Sequence, residues 1–107
     1  MDKNNRKVAQ ESVGVQKNKE EFISVVLPVY NEEKTIISEI KTVRAVMSKT
    51  LHPFEIIVVD DGSQDKTAEA AQAEGVRLLR HDFNRGVGAA RKTGILASRG
   101  EIIVTSD

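Results

Sequence analysis

The sequence predicts an α/β protein with an open, mainly parallel sheet and helices on both faces. Short apolar segments rich in Val and Ile recur along the chain, and polar turns and amphipathic segments separate them. Apolar runs without polar alternation are typical of parallel strands that are covered on both faces. The order β-α-β-α-β-α-β, with short links, therefore favours a single sheet built from crossover connections.

The first strand is predicted at residues 22–30, FISVVLPVY, with Pro28 near its end. Asn31 is expected to cap the helix that follows, because an Asn side chain can accept a free N–H of the first turn. Glu32 and Glu33 would then lie at the positive end of the helix dipole. Helical spacing predicts the inward face of this helix: Ile36, Ile40, Val43 and Met47.

The second strand is predicted at residues 55–60, EIIVVD, and a turn at Gly62 separates it from a helix at residues 65–73. Alanine side chains form the predicted inward face of this helix, among them Ala68 and Ala71. Gly75 follows in the position where a glycine commonly ends a helix, so we expect the helix to stop there.

The third strand, residues 76–80, carries two arginines and is therefore expected at an edge of the sheet. The next helix is predicted to have a face of small residues: Gly88, Ala89, Ala90 and Gly94. Gly88 and Gly94 suit either helix packing or a close approach of the backbone to a ligand. Gly100 ends this helix, and the fourth strand is predicted at residues 101–107, EIIVTSD.

The folded part is predicted to be one domain at residues 22–107, preceded by a disordered polar arm at residues 1–21. Lys+Arg and Asp+Glu both number 16, and the formal net charge of +0 gives no general attraction to nucleic acid. No segment approaches the ~20 apolar residues that span a bilayer. The absence of cysteine excludes thiolate chemistry and is compatible with the cytoplasm, where we expect the protein.

Ligands of open parallel sheets bind at the carboxyl ends of the strands, and Asp60 and Asp61 lie at such an end. Adjacent positions point to opposite sides of a strand, so one carboxylate is expected to face the crevice and to accept an N–H of a nucleobase. Alternatively, one of them stabilises the next helix N-terminus while Ser63 or Asp65 caps it. For the pair we favour a ligand role, because one cap needs only one acceptor.

The segment NRGVGAARKTG follows the third strand and contains several glycines. It is not the dinucleotide-binding fingerprint, since Arg91 stands where the third glycine is required and the segment does not follow the first strand. Its glycines still allow close approach of the backbone to a ligand. Three basic side chains near the helix start could meet a diphosphate: Arg85, Arg91 and Lys92.

Four further side chains give weaker signals. Tyr30 could stack on a base or cover the edge of the core. His52 and His81 show no decisive pattern, and a single histidine beside a loop is expected at the surface. Asp107 ends the fourth strand, where a carboxylate could hold a hard cation such as Mg²⁺ or Mn²⁺, although such a site needs a second protein oxygen.

Four segments in order, ISVVLPVYNEEKTI, EIIVVDDGSQDKT, NRGVGAARKTGI and RGEIIVTSD, resemble the N-terminal nucleotide-binding part of family 2 glycosyltransferases, the group that includes dolichol-phosphate mannose synthase. The resemblance covers residues 22–107. It implies a GT-A fold truncated after the fourth strand, and transfer of a sugar, with inversion, from a UDP-sugar or GDP-sugar to an acceptor.

The resemblance also implies which residues form the donor site. Around the nucleotide it places Pro28, Tyr30, Glu32, Asp60, Asp61, Asn84, Gly86 and Arg91, with Asp61 on the base and Asp60 close behind it. It identifies Asp107 as the first acid of an Asp-x-Asp motif that binds Mg²⁺ or Mn²⁺. The family's sheet order would put the fourth strand beside the first, with an exposed apolar edge.

The sequence ends where the Asp-x-Asp motif begins, so the second metal ligand, the acceptor region and any general base would lie beyond it. No catalytic residue is assigned within the chain, which is expected to be inactive by itself because transfer needs metal, acceptor and leaving group together. A full-length protein with a lipid acceptor would work at the cytoplasmic face of a membrane.

Two other classes of protein are alternatives to the family resemblance. The first is a non-catalytic nucleotide-binding module that keeps the crevice without the reaction. The second is a phosphoacceptor receiver domain, which also gathers acids at the mouth of a parallel sheet. Its acidic pair should follow the first strand, whereas here the pair follows the second, so the receiver domain is disfavoured.

Overall fold

The structure, a computed structural model, describes residues 21–106. Within that range the chain forms four strands and three helices. In chain order they are β1 (Ile23–Val29), α1 (Ile36–Ser48), β2 (Phe54–Asp60), α2 (Thr67–Ala73), β3 (Arg77–Arg80), α3 (Val87–Ala97) and β4 (Ile102–Thr105). Apart from Glu21, the arm expected at residues 1–21 lies outside the described residues, as does Asp107. The predicted order of elements is confirmed.

The described strands form one parallel sheet in the spatial order β3-β2-β1-β4. β3 is an edge strand, as its charges predicted, and β4 lies beside β1, as the family resemblance implied. Val29 pairs with Asp60, and Asp60 pairs with Arg80, so β1, β2 and β3 end in register. The loops that follow these strands therefore leave from the same edge of the sheet.

Helices α1 and α2 cover one face of the sheet. Ile36 and Ile40 of α1 and Ala71 of α2 are completely buried, and Met47 is nearly so, as their spacing predicted. They pack against alternate residues of the two central strands: Ile23, Val25, Leu27, Val29, Ile56 and Val58. This layer contains most of the buried side chains of the core. Full burial of a large aliphatic side chain stabilises a protein by about 1.5–3 kcal/mol.

Helix α3 covers the opposite face, where the buried strand residues are Val26, Ile57 and Val59. Ala90 and Gly94 are its buried residues. A Cβ on Gly94 would overlap Cγ1 of Val26, so the helix approaches the sheet as closely as a glycine allows. Gly88 is exposed, so helix packing is the wrong alternative for this residue. It lies about 200° around the helix from the buried Ala90.

The first two helices begin later in the chain than the sequence predicted. α1 begins at Ile36, and the expected cap at Asn31 is wrong. Asn31 has a φ of 50°, and its side-chain oxygen accepts the N–H of Gln64 instead (2.9 Å). α2 begins at Thr67, whose N–H donates to Oδ1 of Asp65 (2.9 Å). Asp65 therefore stabilises the first turn of its helix, whereas Asn31 is used between two loops.

Candidate functional site

Three loops meet at the carboxyl edge of the sheet. We call them the first loop (residues 30–35), the second loop (61–66) and the third loop (81–86), after the strands β1, β2 and β3 that precede them. An open cavity of about 490 Å³ is lined by Tyr30, Gly62, Ser63, Gln64, Arg80, His81, Asp82, Phe83 and Asn84. All three loops contribute to it, at the position where open parallel sheets bind their ligands.

Reciprocal hydrogen bonds join the first loop to the second. Asn31 donates its backbone N–H to Oγ of Ser63 (2.7 Å), and its side-chain oxygen accepts the N–H of Gln64 (2.9 Å). Further along, Lys66 donates its backbone N–H to Oε1 of Glu33 (2.7 Å). These bonds satisfy backbone donors of both loops and fix the loops relative to each other.

Asp60, the last residue of β2, is fully buried beside two residues of the cavity lining. Its Oδ1 accepts the hydroxyl of Ser63, and its Oδ2 lies 3.1 Å from Nε of Arg80. This ion pair lacks hydrogen-bond alignment, so Oδ2 has no hydrogen-bond partner among the described residues. Arg80 also donates from Nη2 to the carbonyl oxygen of Ser63 (3.2 Å), while about half of its side chain is exposed. A guanidinium group is thereby held at the cavity.

Asp61 accepts hydrogen bonds from three donors of the third loop. Its Oδ1 lies 2.7 Å from Nδ1 of His81 and accepts the N–H of Arg85 (2.9 Å), and its Oδ2 accepts the N–H of Gly86 (2.8 Å). Burial raises the pKa of this carboxyl, but the hydrogen bonds from the third loop outweigh burial and lower the pKa below its ordinary value.

Asp61 also lies at the start of a helix. Gly86 immediately precedes α3, so an ionised Asp61 lies at the positive end of the α3 dipole. Stabilisation of a helix N-terminus, the alternative to a ligand role for the acidic pair, therefore applies to α3 and not to α2. The sequence did not reveal this because the two residues are 25 positions apart.

His81 is buried, with 6% of its surface exposed, so its expected place at the surface is wrong. Because an ionised Asp61 can only accept, Nδ1 of His81 carries a hydrogen. The other ring nitrogen, Nε2, lies 2.8 Å from Oγ1 of Thr93 in α3. The backbone N–H of His81 donates to the carbonyl oxygen of Asp60 (2.9 Å). The ring and the backbone of this residue thus connect β2, β3 and α3.

Two aromatic side chains are exposed on the cavity lining. Tyr30 is 42% exposed and Phe83 is 61% exposed. The guanidinium carbon of Arg85 lies 5.0 Å from the centroid of the Phe83 ring, within the range of a cation–π contact. Exposed aromatic faces suit a planar ligand such as a nucleobase. The exposure of Tyr30 favours base stacking over the alternative that it covers the core edge.

Glu32 of the first loop is half-buried and interacts with a second acid. Its carboxyl group lies close to that of Glu39 in α1. Burial and the charge of Glu32 both raise the pKa of Glu39, because each disfavours its ionised form. The backbone N–H of Glu32 donates to Oγ1 of Thr67 (2.7 Å), which adds a further bond between the first loop and α2.

The remaining candidate residues lie around the same edge. Pro28 is the second-to-last residue of β1. Asn84 lines the cavity, and its Nδ2 lies 3.4 Å from the carbonyl oxygen of Asp61. Arg91 lies on α3, outside the cavity lining, and its Nη2 donates to the carbonyl oxygen of Ser106 (3.3 Å). Arg91 is therefore next to the chain end that leads to Asp107.

Of the cavity residues, the sequence indicates only Tyr30 and Asn84 as ligand contacts, and the ones it misses include Arg80, His81 and Phe83. The charge of Arg80 predicted an edge strand, but not that its guanidinium would line the cavity. The sequence did carry a signal for them, because Arg80 is the last residue of β3 and His81 and Phe83 lie within three residues of it. Position at that edge is itself an indication of ligand contact.

The described residues do not by themselves form a divalent-metal site. Among residues 21–106, no group of three or more His, Asp or Glu side chains could hold a metal ion. Asp60 and Asp61 are buried and already contact groups of the protein.

Comparisons with known proteins identify the family. The model of glycosyl transferase family 2 matches residues 24–107, a range that includes all three loops. An uncharacterized protein of Methanocaldococcus jannaschii is 47% identical over 93 residues, which cover 84% of this chain and 36% of the relative. The undecaprenyl-phosphate 4-deoxy-4-formamido-L-arabinose transferase of Pseudomonas fluorescens is 37% identical, with 81% of this chain and 27% of the relative covered.

A solved structure shows the same fold. The glucosyl-3-phosphoglycerate synthase of Mycobacterium tuberculosis, crystallised with Mn²⁺, uridine diphosphate and phosphoglyceric acid, superposes with a TM-score of 0.68 and 36% identity over 81% of this chain and 32% of that protein. The predicted GT-A fold class is confirmed, and the receiver-domain alternative is wrong. The chain spans 27% to 36% of the length of these relatives. By the match of the family model, the chain belongs to glycosyl transferase family 2.

Proposed function

We propose that the chain is the donor-binding part of a glycosyltransferase, which binds a UDP-sugar or GDP-sugar for inverting transfer to an acceptor. The observation that carries this proposal is the open cavity at the carboxyl edge, where two exposed aromatic side chains lie beside an anchored guanidinium group. The M. tuberculosis relative, which has been crystallised with uridine diphosphate and with UDP-glucose, supports it.

In this proposal the nucleobase lies in the cavity against Tyr30 and Phe83. Stacking on an aromatic face stabilises a bound base without selecting its identity. Arg80 directs Nε towards Asp60 and one Nη2 hydrogen towards Ser63, so its other N–H groups are left to donate to carbonyl oxygens of the base. A neutral base with acceptor oxygens, such as uracil or guanine, suits these donors.

The donor-site residues implied by the family resemblance remain part of the proposal: Pro28, Tyr30, Glu32, Asp60, Asp61, Asn84, Gly86 and Arg91. The carboxylate of Asp61 can accept few further hydrogen bonds from a ligand. Its Oδ1 already accepts two hydrogen bonds and its Oδ2 accepts one, so a direct contact with a base N–H would use Oδ2.

The diphosphate is proposed to rely on basic side chains. Asp61 already occupies the positive end of α3, so this helix N-terminus offers little attraction to a further anion. Arg85 in the third loop and Arg91 on α3 are the nearby cations that can donate to phosphate oxygens. Arg91 is already oriented by its bond to Ser106.

The proposed cofactor is Mg²⁺ or Mn²⁺, held through Asp107. Crystals of the M. tuberculosis relative with uridine diphosphate and either ion support this assignment. A bound divalent cation would supply positive charge to the diphosphate. The contribution of the described residues is to bind and orient the nucleotide.

The acceptor and the location are proposed from the relatives. The name of the P. fluorescens relative specifies undecaprenyl phosphate, so a lipid phosphate is the acceptor class proposed for the whole protein. No helix among residues 21–106 is both long enough and apolar enough to cross a membrane. We propose a cytoplasmic location, at the membrane face when the acceptor is a lipid.

Calorimetric titration of the chain with UDP and with GDP, each with and without Mn²⁺, tests this function. Tyr30→Ala is expected to weaken binding about tenfold, because base stacking contributes about 1–3 kcal/mol. Tyr30→Phe keeps the ring and should stay within about twofold of the wild type. Leu96→Ala, at a 76% exposed position on α3, is the control. The proposal fails when neither nucleotide binds under any of these conditions.

A second candidate function is a non-catalytic nucleotide-binding module. One observation favours it: the acids of β2 and the second loop, Asp60, Asp61 and Asp65, already accept hydrogen bonds from other groups of the protein. Incubation with UDP-glucose and Mn²⁺ separates the two candidates. Release of glucose or its transfer would exclude the module, whereas tight UDP binding without turnover would support it.

A further inference from the structure

The third loop is anchored at both ends on one carboxylate. At the start of the loop, the ring of His81 donates to Oδ1 of Asp61. At its end, the backbone N–H groups of Arg85 and Gly86 donate to the same carboxylate. The residues between are exposed and all line the cavity: Asp82, Phe83 and Asn84. The third loop is therefore an arch whose two ends share a single anchor.

The orientation of that anchor is fixed by His81. The ring is 6% exposed and is bonded at both nitrogens, to Asp61 through Nδ1 and to Oγ1 of Thr93 through Nε2. A buried ring with two directional partners has one favourable orientation. The Nδ1–H therefore holds the Asp61 carboxylate in the position that accepts both backbone donors at the far end of the arch.

The second loop supports the arch from the side of the sheet. A Cβ on Gly62 would lie 2.5 Å from the carbonyl carbon of Phe83 and 2.6 Å from the backbone nitrogen of Asn84. The arch backbone is thus already in contact with the second loop. Its position depends on this contact and on the bonds to Asp61.

We propose that His81 is a positioning residue, which acts through Asp61 to hold the arch in the shape that presents Phe83 and Asn84 to a nucleotide. This inference rests on the proposed function of the cavity. It assigns to a buried histidine a role in ligand affinity that does not require the ring to donate to the ligand.

Two substitutions separate positioning from packing. The amide nitrogen of Asn is bonded to Cγ, as Nδ1 of histidine is, so His81→Asn can still donate to Asp61. In His81→Gln the amide is one bond further out, near the place of Nε2, and it reaches towards Thr93 instead. Both variants lose the ring, but Asn is one methylene smaller than Gln, so a role in packing alone would weaken the Asn variant at least as much as the Gln variant.

UDP affinity, measured by calorimetry on folded protein, is the first readout. His81→Asn is expected to stay within about twofold of the wild type, whereas His81→Gln weakens binding about tenfold through loss of the bond to the anchor. Thr93→Val, which removes only the second partner of the ring, should also stay within about twofold. Equal losses in the Asn and Gln variants would overturn the proposal, as would wild-type affinity in both.

Amide hydrogen exchange gives a second readout that needs no ligand. The amide hydrogens of Arg85 and Gly86 should be protected in the wild type and in His81→Asn, and should exchange about tenfold faster in His81→Gln. Unchanged exchange in the Gln variant contradicts positioning. If the wild type binds neither UDP nor GDP, the proposed function fails, while this readout still tests His81. If His81→Gln does not fold, a tenfold loss of affinity in folded His81→Asn overturns the proposal.

Discussion

Gly62 lies directly against Phe83: a Cβ at Gly62 would be 2.5 Å from the carbonyl carbon of Phe83, in the adjacent loop. Gly62 also has a φ of +79°, a conformation that L side chains rarely adopt. The residue is therefore required to be glycine by its own backbone and by its neighbour. Contact between the second and third loops depends on this absence of a side chain.

Gly62→Ala should lower the free energy of unfolding by about 2–4 kcal/mol, because the strain of positive φ adds to the clash with the third loop. Gly75→Ala is the matched control, since its φ is +76° and a Cβ there would meet nothing within 4 Å. The free energy of unfolding of this control should fall by only about 1 kcal/mol, the cost of placing an L residue at positive φ. Urea denaturation measures both, and equal losses would contradict the loop contact.

Gly94→Ala should destabilise the protein by about 1–3 kcal/mol, because the new methyl group would overlap Val26 and press on Val59. Gly88→Ala, in the same helix, is exposed with open space around it and should stabilise by about 0.5–1 kcal/mol through helix propensity. Thermal and urea unfolding of the pair check the opposite signs. A stabilised Gly94→Ala variant would show that α3 is not packed as closely as described.

Asp61→Asn should lower the free energy of unfolding at pH 7 by about 1–3 kcal/mol, because the buried donors of the third loop lose an ionised acceptor. The pKa of Asp61 is lowered in the folded protein, so its contribution is present above the ordinary aspartate pKa and is lost as pH falls through the lower folded value. The wild-type advantage should therefore shrink as the pH falls from 5 to 3.

Urea denaturation at several pH values measures this advantage. Asp82→Asn, at an exposed aspartate of the same loop, is the control and should change stability by less than about 0.5 kcal/mol. An Asp61→Asn deficit that is the same at pH 5 and pH 3 would mean that the charge of Asp61 is not what stabilises the loop.

Glu39→Gln should stabilise the protein at pH 7 by a few tenths of a kcal/mol, because it removes one of two neighbouring acids. The pKa of Glu39 is raised by burial and by Glu32, so its ionisation opposes folding. This penalty is absent below the ordinary glutamate pKa and is complete above the raised value. The gain should accordingly disappear below about pH 4. Glu69→Gln, at an exposed position of α2, is the control; a gain of equal size there would argue against the Glu32–Glu39 interaction.

Much of the fold follows from patterns along the chain. The spacing of Ile36 and Ile40 identified the buried face of α1, and Gly75, with a φ of +76°, ends α2 as predicted. The charges of β3 indicated its place at the edge. Such inferences succeed because they depend on local geometry. The period of a helix or strand determines which of its residues share a face, wherever the other elements lie.

The partners of polar groups could not be predicted in this way. Asn31 looked like the cap of its own helix, yet its side chain bonds Gln64, 33 residues away. His81 looked like a surface residue, yet its ring is enclosed between Asp61 and Thr93, at separations of 20 and 12 residues. Asn31 could have accepted an N–H of its own helix, and His81 could have remained exposed beside its loop. Both side chains instead bond residues that are distant in the chain.

The sequence by itself determined the elements, the core and the edge at which a ligand would bind, since burial of apolar surface is non-directional and requires only the right period. The tertiary structure alone decided that Asp61 anchors the third loop and that Arg80 and Phe83 line the cavity. A hydrogen bond forms only when donor and acceptor meet within a narrow range of distance and angle, and for residues far apart in the chain that geometry exists only after the elements have packed.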